Sequence, residues 1–434
     1  MWRGHKASRL TILLSAILGL ATSFEPARAS ENASKCCAEL DARLEELASA
    51  VLGDTARNVK VQIYGQVNRA ILFWKDGIDS KAAFVDNNTS STRLGLIGEA
   101  TIRPGLTVGS RFEMEFVWPS SSEIFDPNNV THNEGLTDYA VRQAYGFISD
   151  ERLGILTFGH QWSASGDLTI INLGSQMNDA ALHYNNAFSL GLKLSGGIFT
   201  DLKWGQIAES VDVLRGEYLR YDTPSLFGFV LSASVGQTDA WDVALRYQAD
   251  GEAFRFAGGI GYRSDREKLL DEFRVAASLL HHGSGLYVTL SGGQRDDELS
   301  SIIAQPPSYF GYAQAGISRK WLPYGNTTVY GDLGLYRNFN VGELLSADLV
   351  TSKLEVWGTL AQTEVRRRGF GIEQGFDRIG LLVYAQAHFY DANISGYPCN
   401  SNFLPETCGV NVNELTVLPT LPWDAFVVGG RVRF

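Results

Sequence analysis

The chain ends in AFVVGGRVRF (Ala425–Phe434). In an extended strand, Phe426, Val428, Gly430, Val432 and Phe434 share one face, while Gly429, Arg431 and Arg433 take the other. This period of two, with an apolar face and a polar face, recurs upstream as far as Val59. Leu106, Val108, Phe112, Met114 and Phe116 alternate with Thr107, Gly109, Arg111, Glu113 and Glu115. Val329, Leu333 and Leu335 alternate with Tyr330, Asp332 and Tyr336, and Leu381, Val383 and Phe389 with Leu382, Tyr384 and Tyr390.

The connectors between these strands fall into two classes. Arg103-Pro104-Gly105, Asp150 to Gly154, Ser225 to Gly228, Asp250-Gly251, His282 to Gly285 and Pro323-Tyr324-Gly325 are short and turn-like. Val117 to Thr137, Asn338 to Gln362 and Asn393 to Asp424 are long. Alternating short and long connectors define a transmembrane antiparallel β-barrel, with tight turns on the periplasmic side and long loops outside. A closed barrel also satisfies every backbone group in lipid, which an open sheet cannot do. The pattern counts to 16–18 strands, an even number that leaves both barrel termini on the periplasmic side. The chain therefore reads as all-β, with the barrel over 57–434.

What precedes the barrel has a different character. Residues 1–29 form a secretory signal peptide: Arg3, Lys6 and Arg9, an apolar run from Leu10 to Phe24, then Ala27-Arg28-Ala29 for cleavage. No later run of 18 apolar residues exists, so no transmembrane helix is expected. Within 30–56, Leu40, Leu44, Leu47 and Val51 follow a 4-3-4 spacing. That is a short coiled-coil seam or a lone amphipathic helix, in either case in the periplasm. Cys399 and Cys408 flank a short segment that a disulfide would close in an oxidising compartment. The adjacent Cys36 and Cys37 either bond between chains or stay reduced.

Composition excludes several classes. With 45 Gly, 9 Trp, 17 Tyr and 23 Phe in 434 residues, and 20% charged residues, the chain is not disordered. A net charge of −11 gives no basic field for nucleic acid. Signal cleavage removes Arg3, Lys6, Arg9 and Arg28 against Glu25, so −11 becomes −14. No nucleophile elbow, phosphate loop or metal-spaced His/Cys cluster is present. The expectation is no enzyme, no cofactor and no metal. Asp126-Pro127-Asn128-Asn129 reads as a polar turn rather than a calcium loop.

By alternation Arg93, Arg111, Arg142, Arg220, Arg246, Arg255, Arg274, Arg431 and Arg433 face inward. Fewer acids do: Glu99, Glu113, Glu115, Asp222, Asp242 and Asp332. A charge on the lipid face at the midplane costs roughly 2–4 kcal/mol, which is the physical basis of this inward assignment. The net charge thus describes the rims, and the lumen is expected to be basic. Arg431 and Arg433 fall near the periplasmic rim. Arg366-Arg367-Arg368 reads either as pore lining or as a solvated rim or lipopolysaccharide-phosphate contact. Tyr330, Tyr336, Tyr384 and Tyr390 are candidates for an aromatic ladder in the lumen.

Three stretches carry a family resemblance. SSTRLGLIGEATIRPGLTVGSRFEMEF (Ser90–Phe116), VRQAYGFISDERLGILTFGHQ (Val141–Gln161) and RYDTPSLFGF (Arg220–Phe229) resemble, in order, successive hairpins of Gram-negative general porins. The heptad ahead of the first strand is similar to that of alphaproteobacterial porins. The terminal strand ending in Phe434 resembles the signal read by outer-membrane insertion machinery. The resemblance implies a homotrimer in the outer membrane, in contact with lipid and lipopolysaccharide, that passively admits small hydrophilic solutes and ions. It also implies that a third loop, here about 162–178, folds inward. Asp167 and Asp179 of that loop would then face the arginines across a constriction. His160 stands where the family often has Arg, so the resemblance places an imidazole at the pore wall instead of a permanently charged guanidinium. Two alternatives share the fold: a substrate-selective channel, and a structural protein whose helix tethers the envelope through peptidoglycan.

Overall fold

The computed structural model describes residues 59–116, 119–121, 139–177, 190–211, 215–237, 239–297, 303, 305–347, 355–399 and 414–434. The signal segment, the heptad helix, Cys36, Cys37, Asp179 and Cys408 lie outside the described residues.

Sixteen long strands form one closed antiparallel barrel. They are β1 (Val59–Lys75), β2 (Thr92–Arg103), β3 (Leu106–Phe116), β4 (Tyr139–Asp150), β5 (Gly154–Gln161), β6 (Gly216–Asp222), β7 (Phe229–Gly236) and β8 (Ala240–Asp250). β9 (Phe254–Asp265), β10 (Leu270–His281), β11 (Leu286–Asp297), β12 (Ser308–Leu322), β13 (Gly325–Arg337), β14 (Glu355–Phe376), β15 (Leu381–Pro398) and β16 (Trp423–Arg433) complete it. Each strand pairs with its neighbours in sequence, and β16 returns to β1 in register from Gln66↔Arg433 to Lys75↔Asp424. The count of sixteen settles the 16–18 range. The difference lies in β14 and β15, which run into stretches read as connectors and pair with each other as far as Gly358↔Pro398.

The seam closes on the chain end. Gly65 N donates to Phe434 O at 2.9 Å and Phe434 N to Gly65 O at 3.1 Å. The Phe434 ring lies over Gly65, where an added Cβ would sit 2.7 Å from Phe434 Cζ. Only a residue without a side chain lets the terminal aromatic cover this point of the outer wall.

The apolar faces point outward. Leu94, Phe112, Phe158, Leu231, Ile260, Val288, Leu333, Phe370 and Val428 are all exposed. Trp321, Tyr324, Phe227 and Phe434 lie at the short-turn end, and Trp241, Tyr262 and Tyr309 at the long-loop end. The result is an apolar belt between two sets of aromatic residues, the surface a bilayer requires. Among the described residues no helix is long and apolar enough to cross a membrane.

The inside is not uniformly wet. The short strands Gly191–Leu194 and Ile198–Lys203 and the turn of helix Trp204–Ile207 return from the third long connector. Their Leu192, Leu202, Trp204 and Ile207 pack with Leu345, Leu360, Tyr390, Trp423, Val427 and Leu72 into a buried apolar cluster. That cluster covers the inner faces of β14–β16 and β1 towards the long-loop end. Lys193 Nζ ties it to the first connector, at 2.6 Å from Asp76 and 2.8 Å from Asp79. Burial alone would lower the Lys193 ammonium, but the two carboxylates hold it above the ordinary lysine value.

The seam generates a prediction. Gly65→Val displaces the Phe434 ring and should sharply reduce the heat-modifiable folded band on cold electrophoresis. Gly311→Ala, where nothing lies within 4 Å of the added Cβ, should leave that band unchanged. Equal folding of both variants would separate the terminal ring from closure.

Candidate pore constriction

The third long connector leaves β5 at Trp162 and runs along the inner wall. Two inward carboxylates fix it. Near its start, Asp242 of β8 accepts from Ser163 Oγ at 2.6 Å, Ser165 N at 2.6 Å and Ser165 Oγ at 2.7 Å. Near its far described end, Glu373 of β14 accepts from Gln176 N at 2.8 Å, Met177 N at 3.2 Å and the Ser175 hydroxyl. Between them Leu173 N donates to Ser278 of β10 at 3.0 Å, Asn172 to Gln314 of β12 at 2.7 Å, and Thr328 of β13 to Gly174 O at 3.3 Å. Arg431 of β16 donates to Gln176 O at 3.0 Å. The segment therefore crosses the inside of the wall from β7 to β14 and on to β16.

The wall is shaped for it. Inward Gly259 and Gly261 of β9 lie beneath Leu168, and a Cβ on either would come within 2.7 Å of a Leu168 methyl. Arg246 reaches Ala164 O at 2.7 Å, Gly166 O at 2.8 Å and Asp167 at 2.7 Å. Asp167 itself adopts φ 62°, a left-handed turn conformation that Asp tolerates better than most residues. Arg274 is fully buried, 2.6 Å from Glu272 and 3.0 Å from Ser165 Oγ.

Across from the start of this segment stand β1–β6. Arg93, Arg111 and Arg142 surround Glu113 at 3.6, 3.5 and 2.9 Å. Tyr64 donates to Glu113 at 2.9 Å and accepts from Arg111 at 2.7 Å. Arg142 also bonds Glu115, which accepts from Ser91 at 2.7 Å. A bulge pairs Glu113 with Gln143 but Met114 with Val141, and so brings both Arg142 and Gln143 inward. Arg220 pairs with Asp222 at 2.9 Å and donates to Ser163 O at 3.1 Å. A cavity of about 490 Å³ lies here, lined among others by Arg111, Tyr145, Trp162, Asp167, Arg220 and Asp222.

Arg215, absent from the sequence-derived set, stacks on Trp162 with Cζ 3.9 Å from the ring centroid. Its Nε has no hydrogen-bond partner among the described residues. Burial first, and then the nearby Arg142 guanidinium, pull its pKa down to about 9, against Glu115. Nothing in its local sequence marks it; its importance comes from the return of a long connector to the Trp162 from which it left.

Several expected site residues stand elsewhere. His160 shares its strand face with exposed Phe158, not with Thr157 and Gln161, and bonds Glu217 at 3.2 Å on that same outer face. It is therefore not a pore-wall group, and the corresponding expectation is corrected. Arg255 belongs to the short-turn end, where Asp250 binds both it and His282. It is remote from the constriction. Tyr330, Tyr336, Tyr384 and Tyr390 face inward but are at most 3% exposed, so they are packing and not an open ladder. Arg367 faces inward, fully buried and 3.2 Å from Asp332, while Arg366 and Arg368 face outward. The triplet thus lines no anion path. Cys399 is disulfide-bonded. No cluster of three or more His, Cys, Asp or Glu placed to hold a metal occurs among the described residues.

A closed 16-strand barrel with an apolar belt outside and a connector laid along a charged interior is an outer-membrane channel. The Gram-negative porin family model matches residues 46–350, and the chain belongs to that family. Its function is passive diffusion of solutes across the outer membrane. The chain is similar in fold to the anion-selective porin of Comamonas acidovorans: 13% identity over 87% of this chain and 100% of that one, TM-score 0.51. It is also similar to in-vitro folded OmpT of Vibrio cholerae: 14% identity over 87% and 98%, TM-score 0.50. No curated protein matches the sequence.

Two outcomes check this geometry. Asp242→Asn offers an amide where the loop presents donors, at a cost of about 1–3 kcal/mol. It should loosen the start of the connector and give larger, noisier single-channel currents than wild type. His160→Arg should leave the reversal potential in a salt gradient unchanged; a shift would return His160 to the pore.

Proposed function

We propose that solutes pass between the connector segment 162–168 and the inner faces of β2–β6, and that this constriction favours small hydrophilic anions. The observation that carries the reading is Arg215: a guanidinium stacked on Trp162, which itself lines the cavity, with an Nε that has no hydrogen-bond partner among the described residues. Arg93, Arg111, Arg142, Arg215, Arg220 and Arg246 outnumber Glu113, Glu115, Asp167, Asp222 and Asp242 around it by one. Most of these arginines are held in ion pairs, so the excess positive charge is small and local. Small hydrophilic solutes suit such a wall, because apolar ones must displace water bound to it.

The same reading makes the protein a channel rather than an enzyme and, by family membership, a homotrimer in contact with outer-membrane lipid and lipopolysaccharide. Residues 1–29 are removed on export, the 30–56 helix stands in the periplasm within reach of peptidoglycan, and Cys399 pairs with Cys408. Asp179 belongs to the far part of the inserted loop.

Planar-bilayer recording tests this. Purified protein should insert in conductance steps, and a flat trace from folded protein would falsify the channel reading. Arg215→Gln should lower the anion preference, read as the reversal potential in a salt gradient at neutral pH. An unchanged reversal potential in the variant would remove Arg215 from selectivity.

A further inference from the structure

We propose that the cavity beside Arg111 binds small, water-soluble organic carboxylates that carry an apolar body, with a single-ring aromatic acid as the best fit. The inference rests on the anion reading of the constriction and narrows it to one class of solute.

The first observation is an apolar floor inside the barrel. Alternation places Tyr145, Phe147 and Ser149 of β4, and Ile155 and Thr157 of β5, on the inner face. The register sets Phe147 beside Thr157, and Ile155 between Ser149 and Asp222 of β6. Ile155 is 39% exposed, and Tyr145 and Phe147 are half-buried. A wall that held only water would carry polar side chains at these positions. Phe147 lies over Gly109 of β3, where an added Cβ would come 2.5 Å from Phe147 Cζ. The missing side chain lets the ring lie against the wall, and the ring still lines the cavity.

The second observation is a cation with donors to spare. Of the charged groups that line the cavity, Arg220 is held by Asp222 at 2.9 Å and Asp167 by Arg246 at 2.7 Å. Arg111 differs. Its Nε donates to the Tyr64 hydroxyl at 2.7 Å, and Glu113, 3.5 Å from its Nη2, is shared with Arg93 and Arg142. Nη1 of Arg111 makes no hydrogen bond to the described residues, and the side chain is 31% exposed. Gln143, one inward step above Tyr145, lines the same cavity. It is buried, and its amide oxygen has no hydrogen-bond partner among the described residues. A carboxylate accepts from both groups, through the guanidinium fork and the amide N–H.

Spacing joins the two observations. Arg111 stands directly across from Tyr145, and Phe147 is two residues further along β4, roughly 7 Å away. An acid held by its carboxylate at Arg111 therefore sets its ring against Tyr145 and Phe147, with Ile155 on the short-turn side. Acetate reaches the same guanidinium but leaves the apolar floor wet. An uncharged aromatic covers the floor but leaves Arg111 unanswered. Covering one ring face is worth roughly tenfold in affinity over acetate.

Single-channel recording of the purified full chain in potassium chloride tests this. Benzoate should interrupt the current at a concentration about tenfold below that needed for acetate. Benzyl alcohol, the same ring without the charge, should not interrupt it. Ile155→Asn should narrow the benzoate-to-acetate ratio to about threefold. Arg111→Gln should raise the benzoate concentration required by about tenfold or more. If a variant folds poorly, the comparison of the three solutes on wild type stands on its own. Benzoate and acetate acting at equal concentrations, benzyl alcohol acting as well as benzoate, or an unchanged ratio in folded Ile155→Asn would each overturn the proposal. The reversal potential in a potassium chloride gradient separates the two readings. Cation preference in wild type counts against the anion constriction itself, whereas anion preference without a benzoate effect removes only this site.

Discussion

Backbone pairing is the constraint on which everything else depends. In hydrocarbon an unpaired N–H or C=O has no water to accept it, so a sheet that crosses a bilayer must close on itself. Here closure joins Gly65 to the last residue, Phe434, and the register of β16 on β1 extends over ten residue pairs. Once the ring is closed, strict alternation separates the chain into a lipid face and an interior. Each inward side chain then has to find partners inside.

Those partners come largely from the chain itself. Asp242 and Glu373 hold the two described ends of the inward segment through backbone N–H and hydroxyl donors, and Gly259 and Gly261 make room for Leu168. On the opposite side Glu113 and Glu115 organise Arg93, Arg111 and Arg142. The apolar cluster around Trp204 occupies the interior next to β14–β16 and β1. Among the described residues the open cavity lies on the side near β3–β6, and the charges that line it come from a few residues rather than from the net charge of the chain.

Much of the barrel was legible in the sequence because period two is a direct record of which face meets lipid. Alternation places Arg93, Arg111, Arg220, Arg246 and Arg274 inward, and each of them meets an acidic partner there. Extending alternation from Phe158 also puts His160 outside; the resemblance, not the pattern, drew it into the pore. Other features have no local signal. The bulge at Arg142 changes register by one residue, β14 and β15 continue beyond the belt where lipid no longer imposes a pattern, and the stacking of Arg215 on Trp162 joins the two ends of a long connector. Arg366-Arg367-Arg368 shows the same limit. As a run it suggested one surface, but the pleat divides it between the interior and the lipid.

The central claim is that a connector pinned by wall carboxylates narrows a barrel that would otherwise be wide. Permeation of uncharged sugars of graded size into protein-loaded vesicles measures this most directly. The account predicts ready entry of the smallest sugars and a steep fall in rate with increasing size. Rates independent of size up to large dextrans would contradict it, as would exclusion of even the smallest sugar.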